Sequence, residues 1–168
     1  MDLRLVQNTF FPAYSVSVDF AKLDDGSLDE RQALATAVII ALGTDGLAER
    51  TDVLPDPDST DRGGWWGDLD AEEIWDGWPI GSRLWLLRRD KIDDVGSQRG
   101  ATVTRVDRYI RECLQPFLDR RIASRLEVQA TRTGRDQIEA HVQMFRGPNL
   151  IIDLRYQVLW DELIEGAD

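Results

Sequence analysis

The clearest pattern along the chain lies in its last third, where apolar and polar residues alternate in three successive runs. Leu126, Val128 and Ala130 make the first, Ile138, Ala140, Val142 and Met144 the second, and Leu150, Ile152, Leu154, Tyr156, Val158 and Trp160 the third. A period of two puts the apolar side chains of a strand on one face. The turn sequences Thr133-Gly134-Arg135-Asp136 and Arg146-Gly147-Pro148-Asn149 separate the runs, which predicts an antiparallel three-stranded meander with one apolar face. The third run covers about eleven positions, against five or six in a usual strand, which leaves room for part of it to extend beyond its partner. An overhanging edge strand presents unpaired N–H and C=O groups to which another chain can add a strand.

The segment just before the meander is suited to cover it. Val103, Val106, Ile110, Cys113, Leu114 and Phe117 fall on one helical face, with Arg105, Asp107, Arg108, Arg111 and Glu112 opposite and Thr102 placed to cap the N-terminus. Pro116 should kink or end this helix near Leu118. Cys113 lies on the apolar stripe and reads as a small buried hydrophobe. Further upstream, Leu34, Ala37, Val38, Ala41 and Leu42 recur at helical spacing up to Gly43, behind Ser27 and the acids Asp29 and Glu30, which suit a helix N-terminus. The β-branched run Val38-Ile39-Ile40 would also suit a buried strand. Pairs and alternations of apolar residues from Met1 to Ala21 predict one or two short strands, and Asp24-Asp25-Gly26 a turn. The predicted class is α+β, a single domain over residues 1–168. It comprises a meander covered by an amphipathic helix, an N-terminal helix and strands, and a loop-rich, Trp-rich insertion over residues 44–100.

Within that insertion periodicity fails and composition takes over. Thr44 to Arg62 is acidic, proline-bearing and without apolar period, hence a loop. Its Asp56-Pro57-Asp58-Ser59-Thr60 spells a phosphoryl-transfer DxDxT motif, but no buried strand precedes it to position the first Asp for attack. Neither does it carry the glycine and distant Glu of a calcium loop. Lys91 to Thr102 is a second polar loop. Between them, Asp61 to Asp90 holds five of the six tryptophans within thirty residues, broken by Gly63-Gly64, Gly67, Gly77, Pro79 and Gly81. So much aromatic surface implies a packing node, a docking surface, or both.

The residues Arg62-Gly63-Gly64-Trp65-Trp66-Gly67-Asp68 and Ile80-Gly81-Ser82-Arg83-Leu84-Trp85-Leu86-Leu87-Arg88-Arg89 resemble a signature block of Mu-like phage baseplate proteins, relatives of the small wedge protein that initiates the sheath of contractile tails. The resemblance runs from about Leu28 to Asp161. It implies a virion component without chemistry of its own, present in several copies in a sixfold ring. Its implied partners are other baseplate wedge proteins and the tail sheath and tube. Similar proteins of more distant tails carry Glu-Pro-Arg between the helix and the first meander strand. Here that place reads Asp119-Arg120-Arg121-Ile122, without the proline, so only Asp119 and Arg121 match its charges. The implied role of such a match is a charged pair that fixes the meander's angle to the helix.

Charge narrows the partners. A formal net charge of −11 argues against wrapping nucleic acid or anionic lipid, which needs clustered Lys and Arg. Arginine outnumbers lysine eighteen to two, which suits fixed ion pairs and interfaces, although a GC-rich genome would give the same bias. A single cysteine excludes a disulfide framework within the chain and fits a reducing cytoplasm. The N-terminus lacks a basic start followed by an apolar run, and no window is apolar enough to span a bilayer, so neither export by a signal peptide nor a membrane anchor is expected. His141 falls with Glu139 and Gln143 on the polar face of its strand, without a second His or a Cys nearby.

No cofactor is expected. The contact residues expected of an assembly protein are Trp65, Trp66, Arg83, Trp85, Arg88 and Arg89, the tryptophans as apolar anchors and the arginines as bidentate partners for acidic surfaces. Two alternatives stay open. One is a lysozyme-like glycosidase that uses Glu72 or Glu73 with Asp68. The other is a carbohydrate-binding module with Trp65, Trp66, Trp75 and Trp78 as its platform.

Overall fold

The structure is a computed structural model that describes residues 5–9, 16–20, 33–74, 76–90, 92, 101–134 and 137–159. Several expectations fall outside these residues: the turn at Asp24-Asp25-Gly26, the acids ahead of the first helix, Trp75, most of the second polar loop, Arg135-Asp136 and Trp160. The chain divides into two compact units, Met1–Ile40 and Ala41–Asp168.

In the first unit, β1 (Leu5–Thr9) pairs antiparallel with β2 (Val16–Phe20), Leu5 opposite Phe20 and Thr9 opposite Val16. Helix α1 (Ala33–Gly43) begins in this unit and ends in the next. The Val38-Ile39-Ile40 run is therefore helical, and burial of Val38, Ala41 and Leu42 follows the three- and four-residue spacing.

The second unit is built on the meander. Strands β3 (Arg125–Arg132), β4 (Gln137–Arg146) and β5 (Asn149–Leu159) lie in the order β3-β4-β5, all antiparallel. Three cross-strand rows make the inner face: Leu126–Met144–Ile152, Val128–Val142–Leu154 and Ala130–Ala140–Tyr156. The outer face carries Glu127–Gln143–Asp153, Gln129–His141–Arg155 and Thr131–Glu139–Gln157. Strand β5 is paired with β4 along its whole described length, so the expected overhang is not found there. Its register slips between Met144 and Phe145, and Leu150, beyond that irregularity, is 46% exposed despite its place in the alternation.

Helix α3 (Ala101–Asp119) lies against β3 and β4 and fills the core with Val103, Val106, Tyr109, Ile110, Leu114 and Phe117; the short helix ahead of it, α2, spans Ala71–Ile74. Thr102 lies inside this helix rather than ahead of it. The helix already includes Ala101, and Thr102 is buried on the stripe of Val106 and Tyr109, one and two turns on. Pro116 sits in the last turn, three residues before the helix ends.

The end of α3 is closed by its backbone. Arg121 N–H donates to Leu118 O at 2.9 Å and Ile122 N–H to Phe117 O at 2.9 Å, with Arg121 at φ 58°. That is a Schellman cap, with Arg in the left-handed position that glycine usually occupies. Asp119 instead accepts from Gln115 Nε2 at 2.8 Å, and it makes no ion pair with Arg121 among the described residues. The corner between helix and meander is thus set by a left-handed residue. Arg121→Gly should remove its strain and raise stability by about 1 kcal/mol, a gain of about 2–4 °C in Tm for a chain of this size by differential scanning calorimetry. Arg121→Ala should leave the melting curve where it is.

Candidate interaction surface

The Trp-rich segment is fixed by close backbone approach. Gly46 N–H donates to Ser82 O and Ser82 N–H to Thr44 O, both at 2.8 Å, while Ser82 Oγ donates to Leu42 O at 2.9 Å. On the other side of the same stretch, Ala48 N–H donates to Arg62 O at 2.9 Å and the Arg62 guanidinium returns a bond to Ala48 O. Around this bridge the 3-10 helix Arg83–Leu87 sends Leu84, Leu86 and Leu87 into the core.

Most of the resemblance block has a structural task. Gly63, at φ 60°, lies under the Trp85 ring, where a Cβ would come within 2.8 Å of it. The Trp85 indole N–H donates to Gly46 O at 2.7 Å. The Trp65 ring is half-buried on Gly67, and Asp68 Oδ1 accepts Ile80 N–H at 3.0 Å. Trp78 packs edge-on against Phe117, their centroids 4.9 Å apart, beneath the Arg120 guanidinium. Trp66 differs. It touches the Trp65 ring at 5.3 Å and is otherwise 79% exposed.

The arginines face inward or pair locally. Arg83 meets Asp52 at 2.9 Å, Glu49 at 3.1 Å and Glu112, and lies 5.1 Å above the Tyr109 ring. Burial works against its charge, but hydrogen bonds to Glu112 and Asp52 outweigh that and raise its pKa above the ordinary value. Arg105, paired with Asp90, and Arg108 also lie over Tyr109. Tyr109, which the sequence reading left out of the stripe, is 2% exposed beneath three guanidinium groups. Arg88 and Arg89 are exposed, at 3.2 Å from Asp45 and 4.0 Å from Asp56.

Of the expected contact residues, Trp66, Arg88, Arg89, Asp119 and Arg121 are exposed, Trp65 and Arg83 are half-buried, and Trp85 is turned onto the backbone. Sequence reasoning missed Leu69, 87% exposed, and Leu47, 56% exposed and in reach of Gly64. Trp66 and Leu69 sit three apart in the 3-10 helix Trp66–Asp70. The spacing was visible, but Gly63, Gly64 and Gly67 marked the stretch as irregular. Trp65, Trp66 and Trp78 do not share one flat platform: Trp65 rests on Gly67, Trp66 is tilted 51° to it, and Trp78 packs on Phe117. Glu72 and Glu73 are exposed, and Asp68 is held by Ile80.

The pKa values of Asp153 and Cys113 are shifted in opposite directions. On the outer sheet face His141 Nε2 meets Asp153 Oδ1 at 2.5 Å, which holds the Asp153 carboxyl below its usual range. Burial pushes the Cys113 thiol up to about 12, and its S–H donates to Ala41 O at 3.2 Å. Native protein at about pH 8 should therefore resist iodoacetamide, whereas unfolded protein should be alkylated readily, as mass spectrometry would read. The sign for stability follows. Above the ordinary value of 9.0 the unfolded chain loses the thiol proton that the native chain keeps, so this group subtracts stability as pH rises towards about 12.

Among the described residues no helix is long and apolar enough to cross a membrane, and no group of three His, Cys, Asp or Glu could hold a metal ion. A family model described as phage protein GP46 matches residues 34–149, from α1 to the first residue of β5. Over 59 residues the chain is 52% identical to baseplate protein gp46 of Escherichia phage Mu. That match spans 35% of this chain and 37% of the Mu protein's length.

Proposed function

Because the chain belongs to the phage protein GP46 family, we propose that it is a structural component of a phage tail baseplate, as the name of the matched Mu protein suggests. In its finer form the proposal is a wedge component of a contractile tail, similar to a sheath initiator, which joins the baseplate to tube and sheath. It is present in several copies around a sixfold ring, assembles in the host cytoplasm, and acts through contacts, with no reaction and no small-molecule substrate. The observation that carries this reading is Trp66, a large apolar side chain left 79% exposed while its neighbours Trp65 and Trp85 are engaged on Gly67 and Gly46. Exposed aromatic side chains in rigid surroundings are the usual anchors of protein interfaces. Trp66, Arg88 and Arg89 would make the contacts, with Asp119 and Arg121 at the corner, while Trp65, Arg83 and Trp85 hold the segment in shape. The outer edge of β5 offers a second attachment, by strand addition.

Quantitative mass spectrometry on purified tail particles tests the reading. A small fixed ratio of this chain to the sheath protein supports one baseplate ring. Its absence from the particles, with the protein left soluble in the lysate, would sink the proposal.

A further inference from the structure

The 3-10 helix Trp66–Asp70 has three residues per turn, so side chains at i and i+3 eclipse. Trp66 and Leu69 are such a pair, and they are 79% and 87% exposed. They form a two-pronged apolar knob on a short turn. Its base is fixed by the Trp65 ring beneath and by the bond from Ile80 N–H to Asp68.

The four residues that follow the knob in the chain carry acidic charge alone. Asp70, Glu72 and Glu73 follow within four residues of Leu69, all exposed, and none has an ion-pair partner among the described residues. This contrasts with Arg83, Arg88, Arg89, Arg105 and Arg111, each of which faces an acid of its own chain. Those five arginines are answered within the chain and these three acids are not. Uncompensated acids beside an apolar prong oppose an acidic or purely apolar partner and favour a basic one.

We infer that Trp66 and Leu69 insert into an apolar pocket rimmed by Lys or Arg on another protein, with Asp70, Glu72 and Glu73 paired to that rim. The inference rests on the baseplate reading, because the pocket would belong to a neighbouring tail protein. It reverses the polarity expected from sequence, in which arginines of this chain would seek acids on the partner.

The test is reconstitution: purified protein is added to tail particles prepared without this chain, and the bound fraction is measured against protein concentration and salt. Wild-type protein should bind, and more weakly as salt rises from about 0.05 to 0.5 M. Trp66→Ser with Leu69→Ser should bind about thirtyfold more weakly while melting like the wild type. Asp70→Asn with Glu72→Gln and Glu73→Gln should lose about tenfold at low salt and flatten the salt dependence. If the wild type binds and both variants bind equally well, the knob is not the docking element and the baseplate reading stands without it. If only the apolar variant weakens binding, the pocket lacks a basic rim and the inference falls. Self-association of the free wild type that the serine variant abolishes, seen by sedimentation equilibrium, would assign the knob to a second copy and overturn it too. Failure of the wild type to join any particle would remove the baseplate reading itself.

Discussion

Gly81→Ala should cost about 3 kcal/mol or more of folding stability, measured by urea unfolding. Gly81 has φ 115°, where an L side chain is strained by about 1–3 kcal/mol. The added Cβ would also lie 2.7 Å from Gly46 N and 2.9 Å from the carbonyl carbon of Asp45. These are backbone atoms that no rotamer change can clear. They cannot retreat either, since Gly46 N–H is bonded to Ser82 O and Ser82 N–H to Thr44 O. Overpacking of this kind costs about 1–3 kcal/mol more. Gly43 supplies the control, because a Cβ there meets nothing within 4 Å. Gly43→Ala should be neutral or slightly stabilising.

Leu87→Ala should cost about 3 kcal/mol, through lost burial and a cavity that the packed surroundings close only partly. Leu87 is fully buried in the 3-10 helix that the Thr44–Gly46 bridge holds against α3. Trp66→Ala removes a larger side chain from the same Trp-rich segment and should change stability by less than about 0.5 kcal/mol, because Trp66 is already in water. Thermal melts of the two variants make the comparison. A loss at Trp66 as large as that at Leu87 would mean that Trp66 is core.

That contrast marks what the sequence could convey. The meander was legible to within a residue or two because a strand's period is local and uniform: Val128, Val142 and Leu154 announce their face before their partners are known. The helix ahead of it was legible for the same reason, apart from its start. There Thr102 has the chemistry of a cap but the position of a core residue. The Trp-rich segment obeys no period. Its shape comes from contacts such as Trp85 to Gly46 and Ser82 to Leu42, about forty residues apart in the chain. Composition revealed that aromatic residues were concentrated there, but not that Trp85 is spent on a backbone carbonyl while Trp66 is free to meet a partner. Neither could it reveal that Arg83 is occupied by Asp52 and Glu112.

The outer face of the meander limits the directions in which the molecule can be extended. Three of its rows, Glu127–Gln143–Asp153, Gln129–His141–Arg155 and Thr131–Glu139–Gln157, are polar, with Arg125–Phe145–Leu150 a partly apolar row at one end, and the inner face packs on α3 through β3 and β4. A second layer stacked on the wet face would have to strip water from charged groups and find a counterpart for each, which is costly. Growth perpendicular to the sheet is therefore opposed by solvation along the three polar rows and by α3 where it packs on β3 and β4. What stays open is the plane of the sheet, where a new strand brings its own hydrogen bonds and disturbs neither face. At the meander, then, a neighbour would meet the least resistance beside the strands rather than on top of them.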